Sequence, residues 1–149
     1  MKMITTALTA FVMLLGTAGF AGKKSTATPE TVTAAFVKDF TGASNVSWQK
    51  SSDFYFVDFT VNAKSISAAY NEKGELVGTS RRVSKDQLPL AVSMAIAKKF
   101  VGYETEPSVL ELTYEGQTNY YLNVIAEKQV LHLKADGNGE IAVQSRQKR

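Results

Sequence analysis

The sequence predicts an α+β fold of two tandem repeats, each a helix followed by a four-stranded antiparallel sheet, with the helices packed on one face of the sheet. Three observations point there. Residues 29–40 align with 89–100 at an offset of 60, and five of the twelve positions are identical, where unrelated segments would share roughly one. Both segments open on proline and repeat an apolar side chain every fourth residue. Downstream of each, short runs rich in β-branched and aromatic residues are separated by turn residues.

The helices come first in each repeat. Pro29 and Pro89 preset φ where no backbone N–H is needed. Val32, Phe36 and Phe40, like Val92, Ile96 and Phe100, then form one apolar stripe. Ser84-Lys85-Asp86-Gln87 has the pattern of a capping box, but Pro89 would then fall inside the helix. A short turn at 84–87 feeding a helix that starts near Pro89 resolves the conflict.

Strands are expected over 46–50, 54–62, 64–70 and 76–82, and again over 109–114, 119–126, 129–135 and 140–144. Their breaks are turn chemistry: Ser51-Ser52-Asp53, Asn62-Ala63, Asn71-Glu72-Lys73-Gly74, Glu115-Gly116, Glu127-Lys128 and Asp136-Gly137-Asn138-Gly139. Residues 54–59 align with 119–124, and Gly74-Glu75-Leu76 with Gly139-Glu140-Ile141, at an offset of 65. The second repeat therefore holds five extra residues (65 − 60), which the sequence places in a loop near 101–106. The repeats span 29–83 and 84–145. About 60 residues is marginal for a domain alone, so the halves are expected to share a core or a continuous sheet.

The ends read differently. One cation, an apolar run over 4–15 and the small residues Gly19 and Ala21 predict a signal peptide over 1–21. The run is short of the roughly 20 residues that span a bilayer, so no membrane span is expected after signal removal. This implies a periplasmic or secreted protein. Residues 22–28 read as a flexible lead-in and 146–149 as a frayed basic tail.

The whole chain has 17 basic and 14 acidic side chains, a formal charge of +3. Six basic residues belong to the ends: Lys2, Lys23, Lys24, Arg146, Lys148 and Arg149. The repeat body keeps 11 against 14, or −3, which argues against a nucleic-acid groove. Zero cysteines exclude disulfides, thiol catalysis and cysteine-based metal sites, and the single histidine excludes a multi-histidine site. No cofactor is expected.

Asn45-Val46-Ser47-Trp48, the aromatic strand 54–59, Ala69-Tyr70-Asn71-Glu72-Lys73-Gly74-Glu75-Leu76, and Leu88-Pro89-Leu90-Ala91-Val92 with Ile96 and Phe100 follow one another in a specific order. This order resembles the PepSY-like proteins, small exported bacterial domains also described as beta-lactamase-inhibitor-protein-like. The resemblance covers about 29–144 and includes the duplication. It implies tandem α-β4 units, a periplasmic or secreted location, and a binding or inhibitory role; it supplies no catalytic residues. The beta-lactamase inhibitor proper carries disulfides, and this chain departs from it in having no cysteine.

No nucleophile elbow, phosphate-binding loop, zinc-protease or dinucleotide motif is present, so the chain does not read as an enzyme. His132 alternates with Leu131 and Leu133 and reads as a surface strand residue. Asp136, Asn138 and Glu140 alternate like the first ligands of a calcium loop, but the later glycine and distal glutamate are missing; a hairpin turn is expected. The pairs Glu104/Glu106 and Glu111/Glu115 read as solvated edges.

The candidate site is a surface. Tyr55, Val57, Phe59 and Val61, matched by Tyr120, Leu122 and Val124, are apolar at one parity and should face the helices. The other parity holds Phe54, Phe56, Asp58 and Thr60, matched by Asn119, Tyr121, Asn123 and Ile125. Phe54, Phe56 and Tyr121 are the aromatic anchors such a face would use to engage a protein or peptide. Trp48 joins the candidate binding residues, its parity leaving it on either face. The alternative is a small-ligand carrier or envelope-stress protein with a pocket between sheet and helices.

Overall fold

The computed structural model describes residues 27–149. The expected signal peptide and residues 22–26 of the lead-in lie outside the described residues. Among the described residues, two α-helices and nine strands make an α+β fold with a mostly antiparallel sheet. The chain divides into two compact units, one ending at Thr79 and the other beginning at Ser80.

In the first unit, α1 (Glu30–Asp39) precedes β1 (Ser44–Ser51), β2 (Phe54–Val61) and β3 (Lys64–Asn71). The three strands form an antiparallel meander, with Gln49 opposite Phe56 and Val57 opposite Ala68. β4 (Leu76–Ser84) crosses the boundary between the units. Val32 and Phe36 of α1 pack on Tyr55, Val57, Phe59, Ala68 and Tyr70. Phe36 meets Phe59 edge-on with ring centroids 5.0 Å apart, a favoured aromatic geometry. Tyr70 is fully buried and its hydroxyl donates to Asp39 Oδ2 at 3.0 Å, which satisfies the one polar atom that burial would otherwise penalise.

After β4 comes a one-turn 3-10 helix at Lys85–Gln87, where Ser84 and Gln87 close the capping box. The Ser84 N–H donates to Gln87 Oε1 at 3.0 Å. Pro89 is then the N-cap of α2 (Leu90–Lys99), so both sequence signals are satisfied by two separate elements. β5 (Glu104–Thr105), β6 (Ser108–Tyr114), β7 (Gln117–Ile125), β8 (Gln129–Asp136) and β9 (Ile141–Lys148) follow. Val92 and Ile96 pack on a core that includes Val109, Leu122, Val124, Leu131 and Leu133.

Three expectations are corrected. Five strands, not four, follow α2: β5 pairs Glu104 with Ile125 and Thr105 with Val124 inside the stretch expected to be a loop. The extra residues are also placed differently. Gln49 faces Phe56, and Leu110 faces Tyr121. The first members are 61 apart and the second 65, so four of the five lie in the longer β6–β7 hairpin. Finally, 146–149 is not a frayed tail. β9 runs to Lys148, and the Arg149 N–H donates to the Lys128 carbonyl at 3.1 Å.

The same turn seats each helix on its strands. Asn71 Oδ1 accepts from the N–H groups of Lys73 and Glu75, both at 3.0 Å. Asp136 Oδ1 accepts from those of Asn138 and Glu140, both at 2.9 Å. Each turn ends on a left-handed glycine, Gly74 at φ +78° and Gly139 at φ +87°. A Cβ on Gly74 would lie 2.8 Å from the Thr31 carbonyl oxygen of α1, and one on Gly139 2.5 Å from that of Ala91 in α2. Ala35 and Ala95 line the same two contacts. Glycine is needed here for its conformation and for the close approach together. The Asp136 carboxylate is committed to its own turn, as the hairpin reading of that stretch expects.

Candidate functional site

Phe54 and Phe56 are half-buried on the face of β2 turned away from α1, alternating with the buried Tyr55 and Val57. Phe56 lies between Gln49 on β1 and Ala69 on β3, and Phe54 between Ser51 and Asn71. Asp58 continues this face, exposed, and its Oδ1 accepts a hydrogen bond from the Ser67 hydroxyl. This face therefore combines two aromatic rings with a carboxylate held in place by a neighbouring strand.

Trp48 is not part of it. It pairs across β1 with Val57 and packs on the core of the first unit. Its ring centroid is 5.4 Å from Phe36 at an interplanar angle of 78°, and 6.2 Å from Tyr70. Apolar neighbours on the helix side outweigh the polar, exposed residues that surround it along β1.

Tyr121 belongs to the second unit. It is half-buried on the face of β7 turned away from α2, opposite Leu110 on β6 and Lys134 on β8. Burial raises its phenol above the ordinary tyrosine range. Leu110 and Leu112, both buried, share that parity with it; sequence reasoning passed over them. The signal was available, since β6 has apolar residues at both parities from Val109 to Leu112. Phe54 and Phe56 are thus brought together in one unit, and Tyr121 sits among leucines in the other.

A polar chain also runs over this face. Asn123 Nδ2 donates to Glu106 Oε2 at 2.9 Å, and Asn123 Oδ1 lies 2.7 Å from His132 Nδ1. A carboxylate only accepts, so it orients the amide and turns the amide oxygen toward the imidazole. His132 must then carry its proton on Nδ1, leaving Nε2 outside the chain. His132 and Glu106, expected as isolated surface residues, are half-buried members of one network.

A cleft of about 440 Å³ flanks α2, lined by Leu88, Ile96, Phe100 and Tyr103 with Lys85 and Asp86 at its polar side. Lys85 Nζ reaches the Thr105 carbonyl at 3.5 Å. Among the described residues no group of three His, Asp or Glu side chains is placed to hold a metal, and no helix is long and apolar enough to cross a membrane.

No protein-family model matches the chain, and no curated protein matches it. Solved structures do. A protein of Bacteroides eggerthii DSM 20697 assigned to the periplasm superposes with a TM-score of 0.66 at 21% identity, covering 87% of this chain and 90% of that one. A DUF2874 family protein of Bacteroides uniformis ATCC 8492 gives 0.67 at 21% identity, over 80% and 88%. A BLIP-like protein of Bacteroides fragilis NCTC 9343 gives 0.63 at 16% identity, over 87% and 89%. At these identities the likeness is one of fold, and it extends over nearly the whole of each chain.

Proposed function

We propose that this chain is an exported, non-enzymatic binding domain of BLIP-like fold that engages a protein or peptide through the sheet faces turned away from its helices. The observation that carries the reading is the pair Phe54 and Phe56, two aromatic rings left half-exposed on a face that their own helix does not cover. Rings in such a setting are the usual anchors of an interface. The fold shared with a BLIP-like protein and with a protein assigned to the periplasm supports the binding role and the location. The paired turns at Asn71 and Asp136, each with its glycine against a helix, support a tandem repeat of one helix-and-sheet unit.

The test replaces Phe54, Phe56 and Tyr121 with serine, singly and together, and measures capture of binding partners from an envelope fraction. The triple variant should keep the far-ultraviolet spectrum of the parent and lose the partner that the parent retains. Retention of that partner at full strength refutes the face.

The cleft beside α2 favours a second reading, a carrier of a small amphipathic ligand held by Leu88, Ile96 and Phe100 with Lys85 at the rim. A rise in melting temperature on adding a long-chain fatty acid, unchanged in the serine variants, would favour the carrier over the face.

A further inference from the structure

The outer edge of β9 is a surface distinct from the sheet faces. Among the described residues β9 pairs with β8 alone, and every residue of it after Ile141 is exposed. Its strand bonds alternate in direction. The Arg149 N–H points inward to Lys128, and the register continues with Gln147 opposite Val130 and Ser145 opposite His132. The intervening residues, Arg146 and Lys148, therefore turn their backbone N–H and C=O groups away from β8, where no strand of the described residues receives them.

The same two residues carry charge. Arg146 and Lys148 sit opposite Leu131 and Gln129, so their side chains project on one face, and Arg149 follows directly. β9 contains no acidic residue. Among the described residues, the ion pairs are Lys50 with Glu72 and Arg81 with Glu111, neither of which involves this strand. The edge is thus a row of free backbone groups with uncompensated cations at one end and the neutral run Ile141-Ala142-Val143-Gln144-Ser145 at the other.

We propose that β9 is a strand-addition site for an acidic extended segment. An incoming strand would supply carbonyls to the N–H groups of Arg146 and Lys148, while carboxylates at every second position meet the two cations. A second copy of this chain does not suit the site. Pairing β9 with a second β9 sets the cations beside the neutral run 141–145 when antiparallel and beside other cations when parallel, never beside a carboxylate; β1, which among the described residues also has a single neighbour, carries Lys50 and no acidic residue.

The experiment uses the full chain and three synthetic peptides: alternating Glu and Val, alternating Lys and Val, and the acidic peptide with a central proline. Fluorescence anisotropy should show binding of the first alone. Arg146→Gln and Lys148→Gln should each weaken it about fivefold, as an exposed ion pair of about 1 kcal/mol implies. Amide exchange at Arg146 and Lys148 should slow by roughly tenfold or more in the complex, as it does for newly protected strand amides. The Phe54→Ser and Phe56→Ser variants should bind the peptide unchanged, which separates this site from the sheet face. Equal binding of the proline peptide would mean charge attraction without strand pairing and would overturn the proposal. So would refusal of the acidic peptide, which would leave the cations as guards against edge-to-edge aggregation.

Discussion

Gly139 offers the sharpest test of how each helix is held. Converting it to alanine introduces two penalties that other glycines of the chain separate. Its φ of +87° is left-handed, and a Cβ there would lie 2.5 Å from the Ala91 carbonyl oxygen and 2.9 Å from the carbonyl carbon. Gly102 has nearly the same backbone, φ +82°, with nothing within 4 Å of the added atom. Gly102→Ala therefore measures the left-handed penalty alone, about 1 kcal/mol. At Gly139 the obstructing atoms are helix backbone, which cannot rotate aside, so an overpacking cost of roughly 2 kcal/mol is added. Gly74→Ala falls between them, its Cβ meeting the Thr31 oxygen at 2.8 Å. Urea denaturation followed by circular dichroism should rank the losses Gly102, Gly74, Gly139. The gap between first and last should be about 2 kcal/mol, or roughly 8–16 °C in melting temperature for a unit of this size. Equal losses at Gly102 and Gly139 would show that the turn can retreat from α2 freely, and the account of helix seating would fail.

The buried Tyr70 makes a pH prediction. Burial first, and then its bond to Asp39, raise the phenol above its ordinary value. Unfolded tyrosine ionises near pH 10. Below that pH the contribution is fully present; above it the unfolded chain loses the proton while the folded one keeps it, so stability falls. Tyr70→Phe should cost about 1 kcal/mol near neutrality and flatten the alkaline decline of the urea midpoint; an unaltered decline would assign it to other groups. His132 gives a spectroscopic one. Nitrogen chemical shifts should show the neutral ring protonated on Nδ1, and Asn123→Ala should abolish that preference. A ring found with its proton on Nε2 in the parent would mean that Glu106 does not orient the amide.

The parts of the fold legible in the sequence are those recorded in side-chain pattern. The stripe Val32, Phe36 and Phe40 and its partner in α2, the alternation of β2 and β7, and the glycines of the two matching turns all register as periodicity or identity. The reason for the glycines did not, because a close approach between a turn and a helix is a fact of two distant segments. Trp48 was undecidable for a similar reason. Val46, its companion at that parity, is exposed, and a register irregularity between Ser44 and Ser47 breaks the alternation of β1; Phe36 across the core settles the matter. β5 is two residues long and interrupted by Glu106 and Pro107, too short for any period to appear. The Glu106–Asn123–His132 chain joins the β5–β6 connection to β7 and β8 and leaves no trace in spacing.

The basic end shows how a charge sum can mislead when structure is assigned from side chains alone. Apolar alternation stops after Val143, so 146–149 reads as solvent-borne; backbone pairing with β8 is what holds it, and pairing has no side-chain signature. Excluding those residues left the body at −3. Including them adds Arg146, Lys148 and Arg149, giving 14 basic and 14 acidic side chains over 29–149. Residues 29–149 are therefore neutral in sum and polarised in placement, with three cations in the last four residues. A nucleic-acid groove needs cations spread along a phosphate track, which a four-residue cluster on a neutral body does not supply. An acidic strand needs only a few carboxylates at two-residue spacing beside free backbone groups. The arrangement of Arg146 and Lys148 meets that second requirement, and this is why the edge points to an acidic peptide rather than to nucleic acid.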